Sequence, residues 1–109
     1  MTDLKRLEQM RQIAVLLRDR DLTRLATATS QKHHTEGLLA QLDKAIPAAG
    51  LDLVVASQVT DRFGLWTTNR RILLNQQLAR DTVDWLSARS QAQVTFGRAE
   101  VLGKLKIRK

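Results

Sequence analysis

The sequence predicts an all-α fold: two long helices folded back on each other as an antiparallel coiled-coil hairpin. Three observations lead there. Apolar residues recur at steps of three and four through both halves of the chain, the period of a helix with one buried stripe. A single proline, Pro47, sits with Gly50 near the middle of 109 residues. The remaining composition, with five glycines, no cysteine and 4% aromatic residues, excludes a disulfide framework, a zinc–thiolate site, a cysteine nucleophile and an aromatic platform for single-stranded nucleic acid. The length allows one domain.

The first helix is predicted over residues 2–46. Thr2 and Asp3 are good N-caps. Its stripe runs Leu4, Leu7, Met10, Ala14, Leu17, Leu25, Ala28, Leu38, Leu42 and Ala45, with the gap after Leu17 bridged by Asp21 or Leu22. Pro47 disfavours helical geometry at Ile46 and removes a donor, and Gly50 tolerates positive φ, so residues 47–51 form the predicted turn. The second helix is predicted over 52–106, capped at Asp52, with Val55, Val59, Trp66, Asn69, Leu73, Gln76, Ala79, Val83, Leu86, Val94 and Val101 on its stripe. Neither stripe reads as a strict heptad. A short connection places two helices side by side and antiparallel.

Folding about position 48.5 sets Leu42 against Val55, Leu38 against Val59, Gln31 against Trp66 and Met10 near Leu86. On that register the polar run Ser30–Gly37 is the weakest part of the seam, and Phe96 onward overhangs the first helix. Trp66 falls on the seam, and Trp85 lies beside it as a candidate anchor for a partner. A two-helix hairpin has no third element to cover its stripe, which points to a partner or to self-association.

Chemistry is sparse. His33 and His34 are adjacent, so on a helix they point about 100° apart and cannot chelate from one face. Glu36, three residues after His33, still leaves a metal short of ligands. Ser30, Ser57, Ser87 and Ser90 lack the G-x-S-x-G context of an activated nucleophile. Gly97 and Gly103 are isolated and form no phosphate cradle. Carboxylates such as Glu8, with Arg11 three residues on, read as solvated surface pairs. The expectation is a protein with no enzymatic activity, cofactor or metal.

The N-terminal residues have no apolar core followed by a cleavage site, and no run approaches the roughly 18 apolar residues of a spanning helix. A cytoplasmic protein is expected. The net charge is +7. Residues 101–109 carry Lys104, Lys106, Arg108 and Lys109 among Val101, Leu102, Leu105 and Ile107, with no acid. That stretch reads either as a solubilising helix end or as a docking end for an acidic protein groove.

The stretches Trp85-Leu86-Ser87-Ala88-Arg89 and Phe96-Gly97-Arg98-Ala99-Glu100-Val101-Leu102, in a short, basic, cysteine-free hairpin, resemble the ends of FliJ/YscO-type stalk proteins of flagellar and type III secretion export. The resemblance implies a non-enzymatic stalk or adaptor contacting an export ATPase ring, the export gate and substrate chaperones. It places residues 96–109 and the first turns from Asp3 to Met10 in or against the ring. The candidate partner-binding residues are Trp85, Phe96, Arg98, Leu102, Lys104, Leu105, Lys106, Arg108 and Lys109. Two other readings stand beside it. A basic helical protein can bind nucleic acid through salt-dependent charge, although its basic residues alternate with acids and no docking motif is present. A coiled-coil adaptor or chaperone outside secretion is the third.

Overall fold

The computed structural model describes residues 2–44 and 53–105. The fold is all-α: helix α1 spans Asp3–Lys44 and helix α2 spans Leu53–Lys104, packed against each other. The predicted turn at Pro47–Gly50 lies outside the described residues. At the start of α1 the Thr2 carbonyl accepts from the Lys5 and Arg6 amides at 3.1 and 3.3 Å, and Asp3 sits in the first turn, where its charge complements the helix dipole.

Burial follows a heptad over residues 7–42 of α1 and 67–102 of α2, contrary to the drifting stripes expected, while Ala56, Val59 and Phe63 carry the half-buried positions before it. In α1 the innermost position is filled by Leu7, Ala14, Asp21, Ala28, Thr35 and Leu42. Its companion row, Arg11, Arg18, Leu25, Lys32 and Leu39, is half-buried, with long cationic stems lying along the seam and their heads reaching water. In α2 the innermost position is filled by Thr67, Leu74, Asp81, Ala88, Thr95 and Leu102, and the companion row by Leu78, Trp85, Ala92 and Ala99. This 4–3 spacing is the knobs-into-holes pattern of a coiled coil.

The α2 stripe is therefore one residue away from the expected one. Trp66, Leu73, Val94 and Val101, all expected on the seam, are exposed, and Thr67, Leu74, Thr95 and Leu102 take their place. Trp66 packs on Phe63 instead, with ring centroids 5.6 Å apart. Trp85, expected beside the seam, lies on it. The register is corrected too. Arg11 meets Leu102, Asp21 meets Thr95, Thr29 meets Trp85, Thr35 meets Asp81 and Asp43 meets Arg71. Facing residues run antiparallel with numbers summing to about 115, where folding about position 48.5 requires about 97. The physical reason is that small and polar residues take several seam positions of α2, Thr67, Asp81, Ala88 and Thr95 among them. Many of the bulky side chains that guide a hydrophobic reading stand on its flanks.

The helix pair divides into two compact units, residues 1–30 with 83–109 and residues 31–82. Each contains the same device. In the first, the buried Asp21 carboxylate is paired with Arg20 and has the Thr95 hydroxyl near it, which favours its ionised form. In the second, the Thr35 hydroxyl donates to the buried Asp81 carboxylate at 2.5 Å. The recurrence is written in the sequence. Arg11, Arg20, Asp21, Ala28, Ser30, Gln31, Thr35, Gly37 and Leu42 return sixty residues later as Arg71, Arg80, Asp81, Ala88, Ser90, Gln91, Thr95, Gly97 and Leu102. Such a likeness is faint as letters. It gains weight because Asp21 and Asp81, like Thr35 and Thr95, are buried at equivalent seam positions. Thr35 and Thr95 each also reach the carbonyl four residues back, on Gln31 and Gln91, at 3.2 and 3.1 Å.

Candidate partner-binding site

The first unit brings the C-terminal part of α2 onto the opening turns of α1. Helix ends leave four carbonyls without intrahelical partners. Arg11 supplies donors for two carbonyls there: its Nε donates to the Leu102 carbonyl at 2.8 Å and its guanidinium also reaches the Leu105 carbonyl. The expected overhang from Phe96 onward is thus corrected. Thr95, Ala99 and Leu102 pack into the seam, and the segment is pinned by Arg11.

Each candidate residue can now be placed. Trp85 is half-buried; its indole N–H donates to the Thr29 hydroxyl at 3.1 Å, and Arg89 lies over its ring at 5.4 Å. Leu102 is half-buried, whereas Phe96, Arg98 and Leu105 are exposed. Lys104 pairs with Glu100 at 3.4 Å. Lys106, Arg108 and Lys109 lie outside the described residues. The structure therefore gathers Arg98 and Leu102 at one place and gives Trp85 internal partners.

That place is a groove of about 220 Å³ between the two helices of the first unit. Met10, Ile13, Ala14 and Leu17 of α1 form one side; Thr95, Arg98 and Leu102 of α2 form the other. It continues, through the shared Thr95 and Arg98, into a second depression of about 290 Å³ lined by Arg20, Asp21, Arg24, Ser90, Gln91 and Val94. An apolar stretch thus passes into a cationic one. Met10 and Ile13, on the α1 side of the groove, were not among the sequence candidates. Their signal was present in the pattern as bulky residues flanking the small Ala14, but an assumed seam at Met10 hid it.

The electrostatics of the cationic stretch centre on Asp21. The Arg20 guanidinium, which donates at 3.0 Å, foremost holds its carboxyl below the ordinary carboxylate range; burial opposes the shift, and Thr95 and Arg24 assist it. Arg20 and Arg24 thus share one buried carboxylate, while their own side chains are 51% and 58% exposed. Among the described residues no acid pairs with Arg98. In the second unit, Asp81 is likewise lowered, first by the Thr35 hydroxyl and against the effect of burial, with Gln77, Arg80 and His34 assisting. Both aspartates are held ionised as acceptors. Among the described residues no three His, Asp or Glu side chains gather as metal ligands, and no helix is long and apolar enough to cross a membrane.

Comparison with known protein families, with curated proteins and with solved structures gives no match.

Proposed function

We propose that this chain is a non-enzymatic, cytoplasmic coiled-coil adaptor of the stalk type that serves flagellar or type III protein export, docking the export ATPase and the export gate. One observation carries the adaptor reading: the chain leaves many bulky apolar residues outside its own seam. Met10, Ile13, Leu16, Leu65, Trp66, Leu73, Val83, Leu86, Phe96 and Val101 are all roughly half exposed or more, while alanine, threonine and aspartate share the seam with a few leucines. An exposed apolar surface of this extent is what a partner would cover. The export assignment rests on the resemblance of residues 85–89 and 96–102.

The test is association of the folded, full-length chain with purified export ATPase and with the cytoplasmic part of the export gate, followed by calorimetry and co-sedimentation. Binding to either at micromolar concentration is expected. Absence of binding to both, with native helicity verified by circular dichroism, would remove the export role. The nucleic-acid reading draws on the net charge of +7. A gel shift with duplex DNA at near-physiological salt separates it, because charge-driven binding without a docking motif falls steeply as salt rises.

A further inference from the structure

The groove of the first unit joins two chemistries on one wall. Met10, Ile13 and Leu17 present an apolar row, with Met10 and Ile13 more than half exposed. Arg98, Arg24 and Arg20 extend it as a row of guanidiniums whose only acid is the buried Asp21.

We propose that this groove binds an acidic amphipathic helix of a partner protein. Apolar side chains three and four residues apart would lie on Met10, Ile13, Leu17 and Leu102, and carboxylates further along the same helix would pair with Arg98, Arg24 and Arg20. The length suits a helix. From Met10 to Arg24 α1 advances about 20 Å at 1.5 Å per residue, or four turns. Arginine forks donate to carboxylates in bidentate fashion, and an i, i+3, i+4 row of anchors in an apolar groove is a recurring mode of helix recognition. A second copy of this chain is the poorer occupant, since its own α1 face would bring the arginines Arg20 and Arg24 toward the guanidinium row rather than carboxylates. Duplex nucleic acid matches the charge but offers nothing to the apolar row. The inference deepens the adaptor reading by naming the partner's chemistry, and it does not depend on that partner belonging to an export apparatus.

The probe is a labelled helical peptide of about 18 residues, rich in Glu and Ala, with leucines spaced three and four apart. One control carries Lys in place of Glu, another Ser in place of Leu. Anisotropy with the full chain should show binding of the first peptide only, weakening several-fold as salt is raised from low to physiological. Ile13→Glu, at an exposed position that leaves helicity intact, should weaken it at least tenfold. Arg98→Glu should weaken it several-fold, and Ile72→Glu on the second unit should leave it unchanged. Equal binding of all three peptides, or unchanged affinity in Ile13→Glu, would overturn the proposal. So would duplex DNA displacing the peptide from both the parent chain and Ile13→Glu, or sedimentation showing a dimer that Ile13→Glu dissociates. Peptide binding without ATPase or gate binding removes only the export role. Binding of those partners that survives Ile13→Glu removes only this groove.

Discussion

Asp21 and Asp81 stand where a coiled coil ordinarily places leucine. A buried carboxylate is tolerated when charged donors and hydroxyls replace the water it loses. Here Arg20 and Thr95 serve one, and Thr35 and Gln77 serve the other. Such polar layers fix helix register because every displaced register buries them unsatisfied. The same groups make folding acid-sensitive. Each carboxyl titrates below its ordinary value of 3.8 in the folded chain, so the unfolded chain takes up protons first as the pH falls. The stability these groups contribute is complete above that value and is lost progressively as the pH drops through it toward the lowered folded values. Thermal melts between pH 6 and pH 2 should therefore show Tm falling below about pH 4, and the Asp21→Asn/Asp81→Asn double variant should show a shallower fall. Equal slopes would mean that other groups carry the acid response. A second polar residue behaves differently. The Thr67 hydroxyl is buried without a hydrogen-bond partner, a loss of hydration with no return. Thr67→Val keeps the shape and removes the hydroxyl, and should raise stability by about 1 kcal/mol in urea titrations.

The adjacent leucines of α2 test the placement of the seam. Leu74 is 5% exposed and Leu73 57%. Leu74→Ala should cost about 2–4 kcal/mol through lost burial and the space left behind, whereas Leu73→Ala should stay within about 0.5 kcal/mol. Denaturant midpoints at constant m-value would measure both, and the reverse order would restore the seam read from hydrophobicity. The two helices, described over Asp3–Lys44 and Leu53–Lys104, were evident from periodicity. Leu7, Ala14 and Leu42 were correctly placed inside. The second stripe was not, because Thr67, Asp81, Ala88 and Thr95 carry little hydrophobicity while Trp66, Leu73, Val94 and Val101, one residue earlier, carry much. A one-residue error turns a helix by about 100°, enough to exchange seam for surface. The register followed that error. It also placed Ser30–Gly37 as the weakest stretch, where Thr35, 1% exposed, proves to be one of its fastenings. The recurrence of Arg-Asp, Ser-Gln and Thr-x-Gly after sixty residues was the available signal, and it needed the contacts to acquire meaning. Of the proposed site, the basic and apolar C-terminal residues were visible in the sequence. The α1 side of the groove was not, since only the true register brings Met10 and Ile13 beside Arg98 and Leu102.

The whole chain exposes 8520 Å². A compact monomer of its mass, 12.3 kDa, exposes about 6,100 Å², and its unfolded chain about 17,800 Å². Folding therefore removes from water only about four-fifths of the area that a compact domain of equal length would bury. The urea m-value scales with that area, so it should lie about one-fifth below the value usual for a 109-residue domain. The difference is roughly 2,400 Å², more than one partner contributes to a standard interface. A chain that leaves this much surface uncovered folds against a weaker apolar driving force and gains stability when the surface is occupied. Saturation with a partner at a hundred times its Kd adds about 2.7 kcal/mol. The acidic helical peptide should accordingly raise Tm of the parent chain in a concentration-dependent way and leave that of Ile13→Glu unmoved. An m-value equal to that of a compact domain would show that the chain in solution already covers its flanks, and the argument from uncovered surface would fall with it.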